Sequence, residues 1–174
     1  MDSHTTDWKT LRTYCRDLIM SLGTAEEDAF IVADSLVDAD LCGVESHGVS
    51  RMSIYLKRLK TGVVSRDFKF TVLQEHSGSV ALDACNSMGM VVGVRAMEMA
   101  VRKARESGAC FITVNNSNHY GMAGYFAKLA TDADMVGITA TNAPPNIAPW
   151  GSPKSYVGTN PIALAMPADP VPFL

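Results

Sequence analysis

In the run Glu45-Ser46-His47-Gly48-Val49-Ser50-Arg51, a titratable imidazole and a permanent cation stand four residues apart, behind a serine of the kind that caps helices. If a helix starts at Ser46, the serine is its N-cap, His47 occupies the first turn and Arg51 shares that face. Unpaired backbone N–H groups, the positive end of the helix dipole, a guanidinium fork and an acid/base side chain then converge. This chemistry suits the carboxylate of a small organic acid. The plainer alternative is an ordinary helix cap beside a surface histidine. Gly43 and Gly48 favour the functional reading, because each lets another group come close to the backbone.

A second group, Asn115-Asn116-Ser117-Asn118-His119-Tyr120-Gly121, falls between a predicted strand and a predicted helix. α/β proteins place ligands at such junctions, at the carboxyl ends of strands. Small polar residues beside a histidine offer more hydrogen-bonding groups there than a turn needs, although an Asx-rich turn with a solvent-facing His is the simpler account. A third group comprises Thr141-Asn142-Ala143-Pro144-Pro145, Trp150-Gly151-Ser152-Pro153 and Gly158-Thr159-Asn160-Pro161. Its prolines and glycines predict a rigid loop, in which Trp150 is either a wall for a ring or, more simply, a loop anchor. No G-x-G-x-x-G, P-loop or G-x-S-x-G is present. His47 and His119 are too few for a metal site, and none is expected. His4 and His76 lie in polar contexts and are expected at the surface.

The elements that must position these groups follow from periodicity. Leu11, Cys15, Leu18, Ile19 and Leu22 have helical spacing from Trp8, with Gly23 as the stop. Thr24-Ala25-Glu26-Glu27 reads as a capping box for a second helix carrying Ala29, Val32, Ala33, Leu36, Val37 and Leu41. A third helix runs from Ser46 to Gly62. Residues 1–64 thus read as an N-terminal helical unit. Phe68, Phe70 and Val72 then alternate with polar residues, and a Ser77-Gly78-Ser79 turn leads to Val80-Ala81-Leu82, predicting an antiparallel pair. A helix from about Met88 to Ser107, a strand from Cys110 to Val114, a helix from Gly121 to Ala130, and strands at Val136 to Thr141 and Ile162 to Met166 give 65–174 the rhythm of a mixed α/β domain. The apolar ending Pro167 to Leu174 reads as the start of a further element.

Of the 174 residues, 47% are hydrophobic, enough for a substantial core, and the net charge of −3 with mixed signs gives no basic footprint for nucleic acid. No apolar run spans a bilayer, and the polar first residues do not resemble a signal peptide, so the expected compartment is the cytoplasm, with no membrane partner. Cys15, Cys42, Cys85 and Cys110 stand singly in apolar contexts, which predicts buried free thiols.

The segments ESHGVSRM, NSNHYGMAGYFA, ATNAPPNIAPWG and VGTNPIALAMP, in this order, resemble the type-2 malate/L-lactate dehydrogenase family, which also contains ureidoglycolate, sulfolactate and diketogulonate oxidoreductases and imine reductases. Members are about twice this length, so the resemblance covers their N-terminal half and implies a truncated α/β fold of non-Rossmann type. It implies a homodimeric enzyme that uses NAD or NADP to move a hydride to or from C2 of a small 2-hydroxy or 2-oxo acid. A cyclic 2-imino acid reductase, or a silent binding module, is the alternative. Carried over by position, the acid/base histidines fall on His119 and His47. Substrate contacts fall on Ser46, Arg51, Asn118 and Thr159, with Arg51 as carboxylate clamp. Cofactor contacts fall on Asn142, Ala143 and Asn160; some members have serine where this chain has Ala143, which leaves only backbone to act there. A helix N-terminus and Arg51 would lower both histidine pKa values, leaving neutral rings with His119 as the base and His47 orienting the substrate oxygen.

Overall fold

Helix formation begins at Asp7, whose carboxylate accepts the Thr10 N–H at 2.8 Å and caps α1 (Trp8–Met20) in the computed structural model of the chain. The structure describes residues 5–174, and His4 lies outside the described residues. The chain forms two compact units, Met1–Met122 and Ala123–Leu174.

The first unit is built on α2 (Glu26–Leu41), whose Ala29, Val32, Ala33, Leu36, Val37 and Ala39 are buried. Burial on nearly every side explains why its sequence is more uniformly apolar than that of a surface helix. Helix α1 packs on α2 through Cys15 and Ile19, and Arg12 bridges to Asp34 at 2.6 Å while its guanidinium stacks on Trp8 and Phe30. The expected capping box is absent. The helix starts one residue later, with Ala25 at its N-cap, and the Thr24 hydroxyl is buried without a partner. Glu26, Glu27 and Asp28 in the first turn complement the helix dipole instead.

After α2 the backbone does not enter a single long helix at Ser46. It makes two 3-10 turns, Glu45–His47 and Val49–Arg51, and only then α3 (Met52–Lys60). The sheet of the first unit has the order β1 (Thr71–Glu75), β2 (Ser79–Asp83), β3 (Phe111–Asn115). β1 and β2 are antiparallel, as expected. β2 and β3 are parallel, joined by α4 (Gly89–Ser107), which Gly108 ends in the left-handed conformation at φ 82°. The alternation at Phe68 and Phe70 precedes the strand: those rings pack on each other with centroids 5.4 Å apart. Arg95 ties α4 to the start of α2, 2.6 Å from Glu27.

In the second unit α5 (Ala123–Thr131) covers an antiparallel pair, β4 (Gly137–Ala140) and β5 (Ile162–Ala165). A side chain at Gly137 would collide with the Ala127 carbonyl, so this glycine sets how closely strand and helix approach. The Pro-rich connection is pinned by a bridge between Ile147 and Val157, while Trp150 is fully exposed and anchors nothing. The fold is mixed α/β, as the sequence indicated. The cysteines depart from expectation: none forms a disulfide among the described residues, but only Cys15 is buried, and Cys42 and Cys85 are exposed because they sit in the turns that follow α2 and β2. Among the described residues, no helix is long and apolar enough to cross a membrane.

β2 alternates buried and half-buried positions, whereas β1 is exposed along its length. Leu82→Ala is therefore expected to cost about 2–5 kcal/mol in urea unfolding. Leu73→Ala on β1 is expected to stay within about 0.5 kcal/mol of the parent. Equal losses would contradict this account of the sheet.

Candidate active site

Two segments of the first unit bring His47 and His119 together. Their rings stack with centroids 5.5 Å apart and planes 20° from parallel. His47 is delivered by the first 3-10 turn and His119 by the loop that follows β3. Two close backbone approaches fix these segments. Asp40, near the end of α2, accepts the Val49 N–H at 2.9 Å, and its carboxylate lies so near Gly48 that a Cβ there would overlap it. Gly89, the first residue of α4, lies against the carbonyls of Asn118 and His119 in the same way. Gly48 thus admits a group from inside the protein, while nothing lies near Gly43.

Ser46 is not a helix cap. Its hydroxyl lies 2.9 Å from Nδ1 of His47, and its carbonyl accepts a hydrogen bond from Nε of Arg51. The anion-binding helix end expected here is therefore replaced by a tight turn, which holds the histidine and the arginine by direct contacts.

The element that organises the rest is α3. Arg51 immediately precedes it, and Tyr55 and Arg58 follow at helical spacing on one face. The buried Tyr55 places its hydroxyl 2.7 Å from Nδ1 of His119. Arg58 donates from Nη2 to Oδ1 of Asn118 at 3.1 Å, and its Nε is buried without a partner. Neither Arg51 nor Arg58 makes an ion pair among the described residues.

The asparagines of the His119 loop are largely occupied in holding backbone. Asn118 Nδ2 donates to the Asn86 carbonyl, to Asn86 Oδ1 and to the Ser87 carbonyl at 2.9–3.1 Å. Asn116 donates to Asp83 at 2.7 Å, and its carbonyl accepts the Asn86 N–H at 2.9 Å. These bonds lace the loop after β3 to the loop after β2. Asn116 and Ser117 open on a separate cleft with Asp83, Cys85 and Asn86, at the carboxyl ends of the two parallel strands.

Both histidines are held below their ordinary pKa, but not chiefly by a helix end. Burial comes first in each case. For His47 Arg51 adds to it; for His119 Arg51, His47 and Arg58 add to it and bring the ring to about 4. Tyr55 is pushed up to about 12 by burial, against the pull of Arg51 and Arg58. Near neutral pH the site therefore holds two neutral imidazoles and a phenol beside two guanidiniums.

The remaining expected residues lie in the second unit. Asn160 accepts the Ala143 N–H on Oδ1 at 2.8 Å, so that backbone donor is already engaged. Gly158 packs against the Ala143 carbonyl. Asn142 and Thr159 are exposed, and their side chains have no hydrogen-bond partner among the described residues. Tyr55, Arg58, Asp40 and Gly89 were not singled out by sequence. The i, i+4, i+7 spacing of Arg51, Tyr55 and Arg58 was the available signal for the first two.

Two stacked imidazoles beside two guanidiniums that make no ion pair among the described residues thus lie together on a mixed α/β scaffold. The sequence profile of the malate/L-lactate dehydrogenase family matches residues 6–174, and the chain belongs to that family. It is 45% identical over 157 residues to a malate dehydrogenase of Pyrococcus abyssi, covering 90% of this chain and 43% of that protein. It is 32% identical over 161 residues to the NAD(+) ureidoglycolate dehydrogenase of Escherichia coli K12, covering 92% of this chain and 46% of that one. In structure it resembles the malate dehydrogenase of Pyrococcus horikoshii with a TM-score of 0.92 at 41% identity, over 99% of this chain and 51% of that one. It also resembles the delta1-piperideine-2-carboxylate reductase of Pseudomonas syringae pvar. tomato, with a TM-score of 0.85 at 26% identity over 98% and 52% of the two chains. The chain spans about half the length of these relatives.

The depressed pKa of His119 makes stability depend on pH. Between about 6.5 and about 4 the unfolded chain binds a proton at this residue that the folded chain does not. The contribution is fully present above about 6.5 and is lost as pH falls to about 4. Urea midpoints measured across this window should fall with pH, and less steeply in His119→Gln; equal slopes would contradict the assignment. Gly89→Ala is expected to cost about 1–3 kcal/mol by overpacking and to shift the NMR signals of His119. An unshifted His119 would show that the close approach does not position it.

Proposed function

We propose that this chain forms the substrate-binding half of a nicotinamide-dependent oxidoreductase that interconverts small 2-hydroxy and 2-oxo acids. The observation that carries the reading is an oriented guanidinium that makes no ion pair among the described residues. Arg51 has its Nε committed to the Ser46 carbonyl, which orients the guanidinium beside two neutral imidazoles and leaves its charge without a carboxylate. A substrate carboxylate supplies that partner, and Arg51 binds it with directed, charge-assisted hydrogen bonds.

His119 then stands as the acid/base group for the oxygen on C2. His47, stacked on it and held by Ser46, orients that oxygen or shares the proton. Asn118 holds the loop through Arg58 and Ser87 and keeps His119 within reach. By the family resemblance, Asn142, Ala143 and Asn160 are read as cofactor contacts and Thr159 as a substrate contact. The exposed amide of Asn142 and the hydroxyl of Thr159 fit a polar ligand edge, whereas the engaged Ala143 N–H leaves no backbone donor at that residue. The nicotinamide, when bound, supplies or takes up the hydride. NAD or NADP as cofactor, a homodimer and a cytoplasmic location belong to the same reading. Reduction of a cyclic 2-imino acid is a second reading, favoured by the likeness to the Pseudomonas reductase. It uses the same carboxylate clamp, and a panel of malate, lactate and cyclic imino acids separates the two.

In the whole enzyme, His119→Gln should lower kcat/KM for the hydroxy acid about 10²–10⁴-fold and remove the acid limb of its pH profile. His47→Gln should be the milder change. If His119→Gln stays near the parent while His47→Gln abolishes turnover, the roles are reversed. Arg51→Met should raise KM for the acid about 10–100-fold and leave KM for the nicotinamide unchanged; an unchanged KM for the acid would remove Arg51 as the clamp.

A further inference from the structure

His119 makes its hydrogen bonds through one ring nitrogen. Nδ1 lies 2.7 Å from the Tyr55 hydroxyl and also accepts the Gly121 N–H at 3.3 Å. Nε2 has no partner among the described residues. A backbone amide donates and never accepts, so Nδ1 carries a lone pair and the Tyr55 hydroxyl must donate to it as well. In the neutral ring the proton therefore sits on Nε2.

We propose that Tyr55 is a positioning residue that fixes His119 as the Nε2–H tautomer, so that the ring meets the oxygen on C2 of a 2-oxo acid as a hydrogen-bond donor, and that Tyr55 replaces at Nδ1 the proton that Nε2 gives up. The proposal rests on the oxidoreductase reading. As C2 of the oxo acid is reduced, the Nε2–H bond breaks and its proton joins the C2 oxygen. In the same event the Tyr55 O–H bond breaks and its proton joins Nδ1. The imidazole stays neutral throughout; once the hydroxy acid has left, Nδ1 returns its proton to the Tyr55 phenolate as Nε2 takes one from solvent water, which restores the resting tautomer. In oxidation the two protons move the other way, which requires Tyr55 to be deprotonated first.

The surroundings explain why two residues share the task. The groups facing His119 are the second imidazole of His47 and the guanidiniums of Arg51 and Arg58, so a full imidazolium there would be stacked on one ring and flanked by two cations. Passing the proton through keeps that charge from forming. The same guanidiniums favour a transient phenolate at Tyr55, while burial keeps the resting phenol protonated.

The test has two independent readings. In the ¹⁵N-labelled protein at neutral pH, the two ring nitrogens of His119 should report a proton on Nε2 and a bare Nδ1, and Tyr55→Phe should shift His119 toward a mixture of tautomers. A wild-type ring with the proton on Nδ1 overturns the tautomer assignment whatever the reaction is. In the whole enzyme, Tyr55→Phe should lower kcat for oxo-acid reduction on the order of 10²-fold with little change in KM. It should also turn a two-proton solvent-isotope inventory into a one-proton one. A one-proton inventory in the wild type, or a kcat unchanged in Tyr55→Phe, overturns the relay. Absence of any oxo-acid turnover in the wild type removes the oxidoreductase reading and the relay with it, and leaves the tautomer to be decided by the spectra.

Discussion

The site depends on keeping one imidazole, His119, in place and neutral among two guanidiniums and a second imidazole. Stacking His47 on His119 is compatible only with rings that do not both carry charge, and burial together with Arg51 and Arg58 enforces this. A ring in such surroundings needs directed support, which comes from the Tyr55 hydroxyl and the Gly121 amide on one nitrogen. Burial comes first in holding the histidines neutral, and the guanidiniums that add to it make no ion pair among the described residues, so the same groups that constrain protonation also carry the site's positive charge.

Helix α3 is what turns these local contacts into a site. It carries Tyr55 to His119 and Arg58 to Asn118, and it follows directly on Arg51. The two loops it serves are held from behind by close backbone approaches, Asp40 against Gly48 and the start of α4 against Asn118 and His119. The buried α2 underlies one of these directly, since Asp40 lies at its end. The apolar core thus sets the angle at which the His47 turn is presented, and a change far from the histidines has a route to them through α2.

Much of this was legible in the sequence, and the parts that were not have identifiable reasons. The long α4, ended by Gly108, and the alternating β2 follow from strong periodicity and an unambiguous stop. His47 and His119 stand out because each lies among small polar residues and glycine. The helix at Ser46 was misread because Asp40, nine residues before Val49, captures that residue's N–H and favours two 3-10 turns over a capped helix. No local pattern announces a cap supplied from the preceding helix. Thr24 misleads similarly, its hydroxyl being buried by packing while Ala25 takes the cap position. Tyr55 was hidden for the opposite reason. On an amphipathic helix a tyrosine at a core position reads as packing, and only the partner at His119, 64 residues away, gives its hydroxyl a purpose.

The most direct test of this account is a titration of the ¹⁵N-labelled protein with oxamate, a small 2-oxo carboxylate analogue, followed by NMR. The account predicts that the Arg51 side-chain N–H and the ring signals of His47 and His119 shift together and saturate, with the cleft at Asp83 and Asn116 unaffected. Saturable shifts confined to that cleft, or none at Arg51, would contradict it.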